Sequence, residues 1–146
     1  MAETGRPNES VEGQFCRVAA LSMTQPWASM VAQGEKSIET RRWVTPYRGA
    51  LLVCATKERV PDFPGPYGVA LAVVWMAGCR PMRAEDWPAA CCTEYPGAFA
   101  WLFPRVAVLA EEHRFAVRGQ LGVFRVQVPA PHAEAVLAAI RRVEVA

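Results

Sequence analysis

Two segments near the middle of the chain are apolar at almost every position. They are ALLVCAT, from Ala50 to Thr56, and VALAVVWMA, from Val69 to Ala77. A half-buried strand alternates apolar and polar side chains, because successive side chains point to opposite faces of the sheet. A strand that is apolar throughout is typical of a sheet covered on both faces. Both runs are well short of the roughly 20 residues of a membrane-spanning helix. The sequence therefore predicts buried strands and no association with a membrane.

Helical patterns flank this apolar region. The segment QPWASMVAQG would place Pro26 at the first helical position and Gly34 just past the last one, the usual preferences of helix ends. A short helical piece is predicted around 82–92, and a longer amphipathic helix begins at Pro131. The remaining strand-like segments are RVAALSM, KSIETRRW, AFAWLF, RVAVLA and VRGQLGVFRVQV.

The order of these elements favours the α+β class. About six short strands lie mostly between the helices, without the repeated alternation of strand and helix that a parallel βαβ sheet requires. We therefore expect a small β-barrel or curled sheet. A short helix on the N-terminal side and a C-terminal helix would pack on it.

The length of 146 residues suits one domain with its own core. Residues 1–15 are polar and rich in Gly, Pro, Asn and Ser, which predicts a disordered tail. The domain itself is expected to span 16–130, and the C-terminal helix, 131–146, to pack against it.

Charge and cysteine content limit the classes of function. The net charge is only +2, so any nucleic-acid binding would need a local cationic patch. Five cysteines, an odd number, and the absence of a secretory pattern at the N-terminus predict a reduced, cytoplasmic protein. Cys91 and Cys92 are adjacent, and His113 and His132 lack neighbours at ligand spacing, so we expect no metal and no cofactor.

Lys36, Glu39 and Arg41 form the densest charged group beside aromatic residues. In an extended strand Glu39 and Arg41 share a face, whereas Lys36 joins them only if the chain bends after Gly34. Spacing alone favours an exposed edge strand kept soluble by its charges. The alternative is a binding wall, since Trp27 and Trp43 lie nearby in the sequence and aromatic rings beside cations can stack bases.

Three further residues are candidates at the ends of the apolar strand that follows. Lys57 comes directly after it, and Tyr47 and Arg48 lie in the turn before it. Each has an ordinary structural interpretation as a solvated charge or a turn residue. The glycines of VRGQLG indicate either a bulge or a close approach of another chain or ligand.

The quoted residues resemble the ASCH domains of the PUA-like superfamily. That family has a helix entered through Gln-Pro-Trp, followed by Gly-x-Lys-x-x-Glu-x-Arg. Here these motifs are Gln25-Pro26-Trp27 and Gly34, Lys36, Glu39 and Arg41. The resemblance continues through YRGALLVCATK, YGVALAVVWMAGC, FAWLF and VRGQLGVFRV, and covers most of 21–128.

The resemblance implies a β-barrel of about six strands, with a cleft between the first helix and the barrel that binds RNA or a nucleotide. It nominates Lys36, Glu39 and Arg41, with Gln25, Trp27 and Lys57 as neighbours. Together with Tyr47 and Arg48 from the turn, these are the predicted binding residues.

Family members also include a ribonuclease and an amidohydrolase of N4-acetylcytidine. The amidohydrolase branch has a Thr nucleophile three residues after the matching Lys, where this chain has Glu39. The alternative to a binding module is therefore a hydrolase, with Lys36 as general base and Glu39 relaying a proton or holding a water. A third hypothesis is an adaptor whose C-terminal helix docks a protein partner. We expect a monomer.

Overall fold

The computed structural model describes residues 8–9 and 16–144, which form nine β-strands and three α-helices. The strands are β1 (Asn8–Glu9), β2 (Cys16–Met23), β3 (Ile38–Arg41), β4 (Gly49–Ala55), β5 (Ala70–Met76), β6 (Gly78–Pro81), β7 (Phe99–Leu102), β8 (Val106–Val108) and β9 (Val123–Val128). The helices are α1 (Trp27–Ala32), α2 (Trp87–Ala90) and α3 (Ala130–Glu144). Single turns of 3-10 helix lie at Ala84–Asp86 and Glu111–His113. Apart from Asn8 and Glu9, the predicted tail lies outside the described residues.

Six strands form the larger sheet, in which β4 lies between β2 and β5, and β8 follows β5. The β2–β4 pair is parallel and the other pairs are antiparallel. Strand β9 pairs with the edge of β2 opposite β4, since Ala20 is matched both to Leu52 and to Phe124. This arrangement places β2 and β4 in the centre of the sheet.

Three short strands, in the order β3–β7–β6, form a second sheet. The α+β class is confirmed, but the closed barrel predicted from the sequence is not found: among the described strands, no pairing joins β8 to β9 or one sheet to the other. The larger sheet stays open because the chain leaves it after Met76. It continues as β6 in the smaller sheet, and Ala77 N donates to Leu102 O at 3.0 Å.

Both faces of the larger sheet are covered, which explains why β4 is buried at all seven positions. Helix α3 packs on one face through side chains such as Val136 and Ile140. Helix α1 and the fully buried Trp101 of β7 cover the other face. The unbroken apolar pattern of β4 and β5 is thus a consequence of burial from two sides.

An ion pair fixes the segment that leads into α2. The Arg80 guanidinium donates to both Asp86 carboxylate oxygens, at 2.6 and 3.0 Å, and Arg83 N donates to Oδ2 at 2.8 Å. The hydrogen bond from Arg80 is the main reason why the pKa of Asp86 is lowered to about 2. Because the carboxylate is more acidic in the folded chain, its charged form stabilises the fold above the unfolded pKa of about 4, and this contribution is lost as the pH falls towards 2.

We expect Asp86→Asn to lower the free energy of unfolding by about 1 kcal/mol at pH 7, since a hydrogen-bonded charge pair is lost. The difference from wild type should shrink below about pH 4 and vanish near pH 2. Urea unfolding between pH 2 and 7 measures it, with Glu85→Gln on the exposed neighbouring carboxylate as the control. A difference that does not change with pH would contradict this account.

Candidate nucleic-acid interface

A cleft of about 980 Å³ opens between the entry to α1, strand β3 and the segment before β9. The end of β2 and the residues after β4 form its floor. The lining residues are Ser22, Met23, Thr24, Trp27, Glu39, Thr40, Arg41, Arg42, Trp43, Thr56, Lys57, Tyr95, Arg118, Gly119, Gln120 and Leu121.

A sharp turn after α1 sets the positions of the charged residues. Helix α1 ends at Ala32, and Gly34 adopts a φ of +83°, a conformation that favours glycine. The backbone N–H groups of Glu35 and Lys36 then both donate to Met30 O, at 3.0 and 3.1 Å. The bend that Lys36 needs to approach Glu39 is therefore present.

Lys36, Glu39 and Arg41 form a continuous charged network. The Lys36 Nζ atom lies 3.6 Å from Glu39 Oε1, and Arg41 Nε donates to Glu39 Oε2 at 2.9 Å. Lys36 is only 3% exposed, donates to the carbonyl of Ala90, and lies 5.3 Å from the centre of the Trp27 ring. It does not line the cleft but supports the residues that do.

Arg41 is held on several sides at the cleft wall. Besides its ion pair with Glu39, it donates through Nη2 to Ser22 O at 3.2 Å. Its guanidinium carbon lies 5.8 Å from the ring centres of both Trp43 and Trp101, and the Trp101 indole donates to Trp43 O at 3.1 Å. Within the described part of the chain, Nη1 has no hydrogen-bond partner, so this group remains available to a ligand.

The charges around the cleft are mainly positive. Within the described part of the chain, four cations line it, Arg41, Arg42, Lys57 and Arg118, together with a single carboxylate, Glu39, whose oxygens both face cations. Lys57 and Arg118 are exposed, and neither has an ion-pair partner among the described residues. The cleft is thus a local cationic patch on a chain whose net charge is only +2.

Aromatic side chains lie among these cations. Trp27, Trp43 and Tyr95 all line the cleft, and Trp43 is 48% exposed. Arg42 lies over the Tyr95 ring at 4.7 Å and donates to Pro96 O at 3.0 Å. Exposed ring faces next to cations can take up a flat base and a phosphate at the same time.

The structure brings four of the predicted site residues to the cleft: Trp27, Glu39, Arg41 and Lys57. Gln25 is buried beneath it, where its side chain binds Ser29 and the carbonyl of Pro66, the latter at 2.8 Å. Gln25 therefore anchors the start of α1 and does not line the cleft.

Tyr47 and Arg48 also lie outside the cleft lining. The Tyr47 hydroxyl donates to Ala50 O, and Arg48 Nη1 donates to the carbonyls of Thr45 and Tyr47, at 2.8 and 2.7 Å. These contacts fix the turn before β4, which is the structural alternative that the sequence left open.

Sequence reasoning did not nominate Arg42, Tyr95, Arg118 or Leu121 as site residues. Tyr95 and Arg118 lie far from the charged group in sequence and join it only through folding. The glycines of VRGQLG were the available signal, because they indicate a close approach of another chain. A β-carbon added to Gly119 would lie 2.9 Å from Ser22 Oγ, so this backbone approaches the cleft floor very closely.

We expect Gly119→Ala to destabilise the chain by about 1–2 kcal/mol, because a new methyl group would overlap Ser22 Oγ. That hydroxyl is buried and has no hydrogen-bond partner among the described residues, so Ser22→Ala should cost little. The double variant should recover most of the loss, as measured by thermal unfolding. Equal destabilisation of the single Gly119→Ala and double variants would rule out this contact as the cause.

Neither a cluster of metal-ligating side chains nor a membrane-spanning helix occurs among the described residues. No group of three or more His, Cys, Asp or Glu side chains lies close enough to share a metal ion. No helix in that part of the chain has the length and apolar character needed to cross a membrane.

The molecule is therefore an α+β domain whose cleft lies between the entry to α1 and two open sheets. The family model of the ASCH domain matches residues 21–115, more than half of the chain. The chain belongs to the ASCH domain family, as its motifs indicated.

Similar proteins support this assignment. Activating signal cointegrator 1 of Mus musculus is 47% identical over 51 residues, which is 35% of this chain, and the Homo sapiens protein of the same name is 43% identical over 51 residues. The matched segment is only 8% of the length of either relative. The crystal structure of ASCH from Zymomonas mobilis aligns with a TM-score of 0.57 at 15% identity. This alignment covers 82% of this chain and 93% of that one, and shows a shared fold.

Proposed function

We propose that this ASCH domain binds single-stranded RNA in the cleft. The observation that carries the proposal is the combination of exposed cations with aromatic rings, of which Trp43 is exposed, in one concave surface. Lys57, Arg118 and Arg42 would contact phosphates, and Trp27 and Trp43 would stack unpaired bases.

The two ion pairs of the Glu39 carboxylate support a positioning role for this residue. One oxygen lies against Lys36 and the other against Arg41, so the carboxylate orients Arg41 towards the ligand. This geometry favours binding over hydrolysis. The Lys36 ammonium, which a hydrolase would use as its base, is buried behind Trp27 and bonded to Ala90 O.

A salt titration tests the proposal. A fluorescein-labelled 12-nucleotide RNA is titrated with the chain between 50 and 300 mM KCl, and anisotropy gives the association constant. Each neutralised phosphate of a single strand contributes about −0.7 to the slope of log K against log salt, so three cations predict a slope of about −2. No binding, or binding that does not depend on salt, would disprove the proposal.

The same sample decides between binding and turnover. After incubation, the RNA and free N4-acetylcytidine are separated by chromatography, and both are expected to be intact. Single-stranded DNA of the same sequence and a blunt RNA duplex serve as competitors. We expect the duplex to compete more weakly, since its bases cannot reach the rings.

A further inference from the structure

A second cleft, of about 860 Å³, lies directly beside the first. Its lining residues are Trp27, Ala84, Trp87, Pro88, Cys91, Cys92, Thr93 and Glu94. Trp27 lines both clefts and therefore forms the wall between them. A ligand that passes over this ring would occupy the two clefts together.

The second cleft differs from the first in its chemistry. Among the residues that the structure describes, no cation lines it, and Glu94 is its single charged side chain. A phosphate would be repelled there, whereas a flat neutral group with an N–H donor would suit two indole rings and a carboxylate acceptor. A nucleobase with an exocyclic amino group has this character.

A second aromatic contact links the two clefts. The Trp87 and Tyr95 rings meet edge to face, with centroids 5.6 Å apart, and Tyr95 lines the first cleft whereas Trp87 lines the second. Arg42 lies over the Tyr95 ring, so a cation of the first cleft is one ring away from Trp87. Aromatic residues of the two clefts are therefore in contact with each other.

Helix α2, which carries Trp87, is hydrogen-bonded to the segment that precedes β3. Lys36 donates to Ala90 O, and Ser37 N donates to Ala89 O at 3.1 Å. Lys36 also lies beneath Trp27. The buried Lys36 therefore contacts both Trp27, which separates the two clefts, and helix α2, which lines the second cleft.

We propose that the second cleft binds the base of the nucleotide next to the one held in the first cleft. The inference rests on the proposed function and refines it. The ligand is a single strand of at least two nucleotides, with its phosphate at the cations of the first cleft. The second base carries an exocyclic amino group that donates to Glu94.

The length dependence of binding tests the subsite. Isothermal titration compares adenosine 5′-monophosphate with the dinucleotide pApA. A second stacked base is expected to raise the affinity by about 5-fold to 100-fold. In Trp87→Ala the gain should disappear, so that pApA binds no more tightly than the mononucleotide. A gain that persists in this variant would overturn the inference.

Glu94→Ala provides a second test that does not depend on the packing of Trp87. The wild type should prefer pApA to pUpU, because uracil has no exocyclic amino group, and Glu94→Ala should remove at least half of that preference on a logarithmic scale. If Glu94 only repels phosphate, the variant would bind both dinucleotides more tightly and keep the preference, which would contradict the subsite.

Glu85→Ala is the matched control, because it removes an exposed carboxylate that lines neither cleft. It should keep the preference for pApA.

The proposed function and the subsite fail in different ways. If the 12-nucleotide RNA does not bind, the function itself is wrong. If it binds but pApA and the mononucleotide have equal affinity for the wild type, only the subsite is wrong.

Discussion

Replacing Lys57 and Arg118 together by alanine is expected to lower the affinity for single-stranded RNA by about 10-fold to 30-fold at 100 mM salt. Both side chains are exposed, line the cleft and lack ion-pair partners among the described residues. Removing two phosphate contacts from a single strand reduces the salt slope by about 1.4, which corresponds to a loss of this size at 0.1 M salt. Anisotropy titrations at several salt concentrations measure both the affinity and the slope.

The matched control is Arg141→Ala with Arg142→Ala. These two arginines are exposed near the end of α3, which packs on the face of the larger sheet opposite α1. The control removes the same charge but should change the affinity by less than about 3-fold, since exposed charges beyond a Debye length of about 10 Å are screened. Equal losses in the two double variants would show that net charge, and not the cleft, determines binding.

Lys36→Met is expected to lower the free energy of unfolding by about 2–4 kcal/mol. The ammonium is buried, faces Glu39 Oε1 at 3.6 Å and donates to Ala90 O. Removing one member of a buried pair leaves the other without compensation, and a buried carbonyl also loses its donor. Arg41 remains beside Glu39, which keeps the loss below that of an isolated buried pair. Urea unfolding followed by tryptophan fluorescence measures the effect.

Lys57→Met is the control for stability, because it makes the same substitution at an exposed lysine and should change the free energy of unfolding by less than about 0.5 kcal/mol. The measurement also separates two roles for Lys36. A Lys36→Met variant as stable as wild type would show that the buried contacts contribute little. If the wild type did turn over RNA or N4-acetylcytidine and an equally stable Lys36→Met variant did not, that result would favour the hydrolase alternative with Lys36 as the base.

Local patterns predicted the parts of the fold that depend on neighbours in sequence. Pro26 and Gly34 flank α1. Pro26 lies directly before the first helical residue, although the pattern predicted it to be the first helical residue itself. The apolar runs became β4 and β5, covered on both faces. These features follow from the backbone preferences of proline and glycine and from the burial of apolar side chains, and both can be read from the individual residues of the sequence.

The pairing of strands could not be predicted in the same way. Strand β3 pairs with β7, which is far from it in sequence, and the chain after β5 passes into the smaller sheet as β6. Nothing in the alternation of side chains specifies which edges meet. The order of the elements and the family resemblance predict a closed barrel, which is not found among the described strands.

The candidate site likewise combines features that follow from local sequence spacing with features that depend on the folded arrangement. Glu39 and Arg41 share a strand face, so their pairing follows from spacing. Tyr95 and Arg118 reach the cleft from other parts of the chain, and the burial of Gln25 and Lys36 depends on packing that their polar character does not indicate. Polar residues in a motif can support a site from below as well as line it.

The fixed position of Arg41 has a consequence for the thermodynamics of binding. Its guanidinium is already immobilised by Glu39, Ser22 O and the two indole rings before any ligand arrives. Ordering a long side chain on binding costs about 0.5–1.5 kcal/mol, mostly in entropy. Arg41 loses this conformational freedom during folding, whereas the exposed Lys57 and Arg118 lose it only in the complex. A ligand group bound by Arg41 would therefore bind with a smaller entropic penalty than a phosphate bound by Lys57 or Arg118.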